Sequence, residues 1–396
     1  MQYLFGLEKT NPLSGVLDQA GLCPAPKQTV VALLIDGFGY AQWLRYSDRY
    51  EFLKRLTARG VVAPITAVFP STTAAALTAI HSGLTPQQHG LPEWWVYFRE
   101  LGQVIVTLPF RPLGGKIQDQ LLGSGVDPRI LFDGQTWYGS LAESGIQPFN
   151  FVHGPLAGSA YSSVVMKNSN VVPYADAPDL MRQLCARVGA AQEPAYFHAY
   201  WGKIDEAAHE YGPHSDRCVA EMDQFFSLLQ EQFVDRLPSR TAEHTVLLVM
   251  ADHGQICVEP EKTIYLNEYP ELVESLRVGP DGSKILPWGR ARDVFVGVRQ
   301  EKLDEVSGFL SDALKDRATV LQTGKALQYN LFGHGTLHSE FKSRIGDILI
   351  LPHGNLTLWF ERPYQRRFRL LGMHGGLSRD EMLVPLAVAR MSELKA

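Results

Sequence analysis

Three apolar runs of strand length stand out along the chain, and each ends at a residue able to hold a cation. Thr29 to Ile35 (TVVALLI) has no polar alternation, the pattern of a central strand covered on both faces. It stops at Asp36-Gly37-Phe38-Gly39. Tyr196 to Trp201 (YFHAYW) predicts a second strand and leads into Lys203-Ile204-Asp205-Glu206-Ala207-Ala208-His209. A helical turn there puts Asp205 and His209 on one face, within reach of a single metal ion. Thr245 to Met250 (TVLLVM) predicts a third strand, ending at Ala251-Asp252-His253-Gly254. An acidic residue at the carboxyl end of a buried strand, followed by glycine, lies where open α/β sheets bind ligands.

A further apolar run, Val61 to Val68, closes at Phe69-Pro70. Ser71, Thr72 and Thr73 then precede the Ala-rich segment Ala74 to Ile80, which Ser82-Gly83 and Pro86 terminate. The ordinary role of such hydroxyls is to cap a helix. A hydroxyl at a helix N-terminus also sits in an anion site, where it can attack a phosphoryl group once its proton is removed. The residues alone do not say which of the three would do so.

Other segments fill in an α/β chain with a central, mostly parallel sheet flanked by helices. Helical spacing covers Tyr40 to Arg59, a stretch around Gln135 to Ser144, Asp216 to Phe233 and Glu301 to Lys315. Asp293 to Val298 and Ile348 to Leu351 read as strands, with Leu356 to Phe360 expected to pair with the latter. Ser378 to Glu381 has the spacing of a capping box before a final strand, Val384 to Val388. Residues 1–27 read as an irregular lead-in. The expected organisation is a core of residues 1–284 plus 366–396, with 92–175 forming loops over the site. Residues 285–365 make a small α/β insertion, and His334 and His338 within it are expected in structural or rim roles.

Composition narrows the function. The chain has 396 residues, 45% apolar and 20% charged, with a formal net charge of −5, which argues against binding a nucleic-acid duplex. The basic run Arg362 to Arg369 reads as a solvated turn or strand edge. Cys23, Cys185, Cys218 and Cys257 are too scattered for a disulfide framework or a thiolate metal site. The N-terminus lacks the basic start and apolar core of a signal peptide, and no apolar run approaches the ~20 residues of a membrane span. The expectation is a cytoplasmic protein without a membrane partner. Oligomeric state is left open.

The candidates collected are Asp36, Asp205 and Asp252, with His209, His253, His374 and the Thr73 hydroxyl. Mixed oxygen and imidazole ligation of this kind suits zinc or manganese and leaves positions free for substrate. Two such ions ~4 Å apart can clamp the attacking and leaving oxygens of a phosphoryl displacement. Leu91 to Phe98 (LPEWWVYF) reads as a pocket wall, with Glu93, Trp94 and Trp95 as substrate contacts and Tyr97 alongside.

The ordered set of Asp36-Gly37, Pro70-Ser71-Thr72-Thr73 with Gly83, Asp205 with His209 and Gly212, Asp252-His253-Gly254, and His374-Gly375-Gly376 before Val384-Pro385-Leu386 resembles the alkaline phosphatase superfamily. Within it, the nucleotide pyrophosphatase/phosphodiesterase and phosphonoacetate hydrolase branches are the most similar. The resemblance implies an alkaline-phosphatase-like sheet and two divalent metals, zinc first and manganese second. One metal is held by Asp205, His209 and His374. The other is held by Asp36, Asp252 and His253, with the Thr73 oxygen in contact. Counting back from Gly83 selects Thr73 as nucleophile, with Thr72 as the alternative register. The implied activity is hydrolysis of a small-molecule phosphodiester or pyrophosphate through a covalent phosphoenzyme. Alternatives on the same site are a phosphomonoesterase, a phosphonate hydrolase or a non-catalytic metal-binding relative. The phosphodiesterase branch has an Asn after the nucleophile helix where this chain reads Glu93-Trp94-Trp95, so the oxyanion contact is expected from the Thr73 N–H and Lys203. The CxPxR-like motif of sulfatases is absent, and the spacing from Asp36 to Thr73 leaves no room for the intervening domain of the phosphoglycerate mutase branch.

Overall fold

The run Thr29–Ile35 forms strand β1, buried along its whole length, in a computed structural model that describes residues 2–9, 12–25, 28–365 and 367–395. Around it lie β2 (Val61–Thr66), β3 (Gln147–His153), β4 (Asn170–Tyr174), β5 (Ala195–Trp201), β6 (Thr245–Met250) and β7 (Leu383–Arg390). They make one seven-stranded sheet in the order β2-β7-β6-β1-β5-β3-β4. Strands β6, β1, β5, β3 and β4 run parallel, and β7 runs antiparallel to both β6 and β2. Register sets the function: Ile35 faces Trp201 and Leu34 faces Met250, so three central strands end level with one another. Asp36, the Gly202 turn and Asp252 therefore leave the sheet along one edge.

Both faces of the sheet are covered, as the unbroken apolar strands require. One face packs Val31, Leu33, Phe197 and Leu247 against Phe38, Trp43, Phe52, Phe225 and Phe226. The other packs Val30, Tyr196, Val246 and Leu248 against Leu4, Phe5, Trp137 and Tyr138. Each fully buried side chain of this kind contributes roughly 1.5–3 kcal/mol.

Several expectations change. The segment Tyr40 to Arg59 is two helices, Tyr40–Tyr46 and Glu51–Arg59, because Tyr50 takes extended backbone and packs its ring 4.8 Å from Phe226. Residues 92–175 are not only loops. They supply β3 and β4, which Pro148, Asn150 and Pro173 disguise by interrupting the apolar pattern. Pro173 is tolerated because β4 is the edge of the sheet. The rest of that segment includes a small antiparallel sheet of Trp95–Phe98, Gln103–Val106 and Arg111–Pro112.

A second sheet, antiparallel and four-stranded, orders Trp288–Arg290, Asp293–Val296, Ile348–Pro352 and Ala318–Gln322. Ile348–Pro352 thus has both edges occupied, and Leu358–Trp359 pairs instead, in parallel, with Ile264–Tyr265. In the basic run, Arg362 is buried rather than solvated: it donates to the carbonyls of Phe360 and Pro287. Arg366 lies outside the described residues. All four cysteines are free, and among the described residues no helix is long and apolar enough to cross a membrane.

The core also buries His81, His89 and His198. Burial depresses all three from the ordinary 6.5: His81 well below it, His198 to about 4 and His89 to about 3. They are neutral when folded but take up protons when unfolded, so stability is present above 6.5 and is lost as pH falls toward 4 and 3. Each contributes a slope of about 1.4 kcal/mol per pH unit in that window. Urea midpoints at pH 7 and pH 5 should show a clear drop at the lower value; equal midpoints would contradict it.

Candidate metal centre

The helix α1 (Thr73–Ser82) starts where the sequence places it, with Thr72 in extended backbone at the N-cap and Gly83 left-handed at the C-cap. The three hydroxyls before and at its first turn have three different fates. Ser71 Oγ donates to the carbonyl of Gly376 at 2.9 Å and accepts the Gly375 N–H at 3.2 Å. Thr72 Oγ1 is buried on the side of the Glu93 carboxyl. Thr73 Oγ1 lies 3.1 Å from His253 Nε2.

His253 is the hinge of a convergent group. Its Nε2 stands 3.4 Å from Asp36 Oδ1 and 3.3 Å from Asp252 Oδ2. Its ring stacks on His374 with centroids 3.5 Å apart and planes 8° from parallel. His374 Nε2 is 3.2 Å from His209 Nε2, and His209 Nε2 is 3.4 Å from Asp205 Oδ2 on the helix α2 (Lys203–Tyr211). Ligand atoms of Asp36, Asp252 and His253 lie within 4.8 Å of one another, and so do those of Asp205, His253 and His374. The backbone is shaped to allow this approach. Gly37 has φ +70°, its N–H donates to Asp252 Oδ1 at 3.1 Å, and a Cβ there would sit 3.0 Å from Asp205 Oδ1.

The donor set fits metal ions on its own chemistry. Each imidazole rests its Nδ1 on a backbone carbonyl: His209 on Gly372 at 2.7 Å, His374 on Ser71 at 2.8 Å and His253 on Gly254 at 3.1 Å. That leaves three Nε2 lone pairs pointing inward, the usual outer support of a metal-binding histidine. Asp36 Oδ1 and Asp252 Oδ2 are buried with no hydrogen-bond partner. Burial raises the Asp36 carboxyl well above its ordinary value, helped by the Asp252 charge, and raises Asp252 to about 6. Burial pushes His253 down to about 4 and His374 well below 6.5, with His209 lowered too. The carboxylates need positive charge that these imidazoles resist supplying as protons, and divalent cations resolve both strains.

Residues 30–377 match the type I phosphodiesterase / nucleotide pyrophosphatase family. The chain belongs to that family. Its members are phosphoric ester hydrolases, and its fold is alkaline-phosphatase-like. Murine ectonucleotide pyrophosphatase/phosphodiesterase 5, in an inactive threonine-to-alanine form with AMP, has a TM-score of 0.67 at 16% identity, covering 92% of this chain and 88% of that one. The human form gives 0.64 at 17%, covering 91% and 88%. Phosphonoacetate hydrolase from Sinorhizobium meliloti 1021, with phosphonoformate, gives 0.67 at 17%, covering 94% and 95%. No curated protein matches the chain in sequence.

In this type I phosphodiesterase family member the expected substrate contacts fall in different places. Lys203 is the first residue of α2, and its Nζ is 2.6 Å from Glu206 on the surface. Trp95 is buried against Trp359, with centroids 5.5 Å apart, and Tyr97 against Trp288 at 5.6 Å. Trp94 lines a cavity of about 110 Å³ together with Leu77, Val152, Tyr161, Met166 and Tyr200. Leu77 stands one helical turn beyond Thr73, and Tyr200 donates its hydroxyl to Asp36 Oδ2. Glu93 is fully buried, its Oε2 accepting the N–H groups of Trp94 and Trp95, and burial lifts its pKa to about 7. His334 and His338 brace the turn after α1: the His334 carbonyl accepts Thr85 Oγ1 at 2.8 Å, and the His338 ring packs on Gly90.

Sequence reasoning missed Tyr200 and Gln255, whose side-chain amide donates to Asp205 Oδ1. Gln255 directly follows Asp252-His253-Gly254, so its position was a usable signal. Tyr200 lay hidden among the aromatics of β5.

Proposed function

We propose that the chain hydrolyses small-molecule phosphoric diesters at a dinuclear metal centre, with Thr73 as the nucleophile. The observation that carries this reading is the Thr73 hydroxyl, 3.1 Å from His253 Nε2 at the head of a helix, beside imidazoles anchored from behind. Asp205, His209 and His374 would hold one ion, and Asp36, Asp252 and His253 the other. Bound divalent cations, zinc or alternatively manganese, supply Lewis acidity that lowers the proton affinity of a hydroxyl and offsets phosphoryl charge.

The rest is the work of this chain. Thr73 Oγ1 forms a bond to phosphorus as the ester P–O bond breaks, and the leaving oxygen takes up a proton. Water then hydrolyses the phosphothreonine. The amides of the first turn of α1, which have no intrahelical acceptors, offer donors to the phosphoryl oxygens. Tyr200 holds Asp36 in place through its hydroxyl. The apolar cavity beside Leu77, Trp94 and Tyr161 suits a flat or apolar organic group of the ester. Four unpaired cysteines fit a cytoplasmic location.

The test is metal stripping followed by add-back. Chelated protein should lose activity on bis-p-nitrophenyl phosphate, and zinc or manganese should restore it. The ratio of kcat/KM for that diester to p-nitrophenyl phosphate separates a diesterase from a monoesterase. Activity that survives complete metal removal would defeat the reading, and metal binding without turnover of any phosphoester or phosphonate would favour a non-catalytic role.

A further inference from the structure

The strand Trp288–Arg290 turns straight back into Asp293–Val296, with Arg290 opposite Asp293. This hairpin tip, Arg290-Ala291-Arg292-Asp293, carries three charged side chains and packs against the loop that bears His374. Arg292 is fully committed: Nε and Nη2 donate to Glu381 at 3.0 and 2.8 Å, and Nη1 donates to the Leu356 carbonyl. Asp293 approaches the His374 loop so closely that a Cβ on Gly375 would lie 2.5 Å from its Oδ1.

Arg290 is different. It is half-buried, its guanidinium lies 5.6 Å from the centroid of the Trp95 ring, and among the described residues that guanidinium makes no hydrogen bond or ion pair. Arg362, 5.3 Å from the same indole, has its donors on two carbonyls. Lys203 is taken by Glu206. Glu93 and Asp293 feel the Arg290 charge without coming within ion-pair distance, and so do His209 and His374. A guanidinium pre-stacked on an indole has already lost much of its rotamer freedom, and its fork of donors matches a phosphate or carboxylate.

We propose that Arg290 binds an anionic oxygen of the substrate, holding a phosphoryl or carboxylate group beside Asp205, His209 and His374. This rests on the hydrolase reading above.

The experiment compares metal-loaded full-length wild type, Arg290→Lys and Arg290→Gln. It measures metal content, orthophosphate binding by calorimetry, and kcat/KM for bis-p-nitrophenyl phosphate and for an aryl phosphodiester with a carboxylate on its leaving group. With metal content unchanged, Arg290→Gln should weaken orthophosphate binding about 30-fold and lower kcat/KM on both esters, with Arg290→Lys between it and wild type. If the bound oxygen belongs to the leaving group, orthophosphate binding holds and only the carboxylate-bearing ester loses about 30-fold. Wild-type behaviour of Arg290→Gln in both assays would overturn the assignment, and so would loss of metal from it. A wild type that turns over no ester would instead defeat the hydrolase reading, while the orthophosphate comparison would still judge Arg290.

Discussion

Thr73→Ala is expected to lower kcat by about 10⁴-fold or more, as removal of a covalent nucleophile does elsewhere. Metal content and folding should stay intact. Alanine is a good helix former at the first position of α1, so the fold loses nothing by the change. The group of Asp36, Asp252 and His253 survives without the hydroxyl, since its ligand atoms already lie within 4.8 Å of one another. Neither neighbour can stand in. Ser71 is committed to the Gly375–Gly376 backbone, and the buried Thr72 Oγ1 makes no hydrogen bond to an imidazole. Thr73→Ser should therefore keep measurable turnover where Thr73→Ala does not. The measurement is kcat on a p-nitrophenyl ester beside metal analysis and a urea midpoint. Turnover of Thr73→Ala within tenfold of wild type would remove Thr73 from the chemistry.

The choice among the three hydroxyls shows where sequence reading stops. Ser71, Thr72 and Thr73 are chemically alike and adjacent, and what separates them is an imidazole 180 residues away in sequence. By contrast, the convergence of Asp36, Asp205 and Asp252 was legible, because apolar runs mark central parallel strands whose ends lie side by side. The outer strands on the β4 side carry no such mark. β3 and β4 contain Pro148, Asn150 and Pro173, and Asn150 is buried only because Tyr138 Oη and Ser169 Oγ satisfy its amide. Arg290 was hidden for a related reason: Trp288 to Asp293 reads locally as a turn, and only the docking of the second sheet brings its tip beside Trp95. Lys203 shows the opposite case. It occupies a promising position in sequence, but its nearest acid is Glu206, one turn along its own helix.

Glu381→Ala is expected to cost about 3–5 kcal/mol of stability and to loosen the metal centre as well. The carboxylate and Arg292 are both buried, with side-chain exposures of 0% and 2%, and meet through two hydrogen bonds at 3.0 and 2.8 Å. Truncating Glu381 strands a guanidinium that no water can reach, which costs far more than the pair itself stabilises. The same carboxylate accepts the Gly376 N–H at 2.9 Å, two residues from His374. Its backbone carbonyl accepts the Gly254 N–H at 2.9 Å, just beyond His253. One residue thus ties the hairpin of the second sheet to both histidine loops, and removing its side chain frees the His374 loop while leaving the Gly254 tie in place. Metal affinity should fall roughly 10–100-fold, as for other outer-support residues. The double variant Arg292→Met with Glu381→Leu separates the two effects. It removes both charges together, so urea midpoints should recover most of the lost stability, while the Gly376 N–H still lacks its acceptor and metal affinity stays low. If Glu381→Ala unfolds at the wild-type midpoint, or the double variant binds metal as wild type does, the carboxylate is not the tie between fold and site.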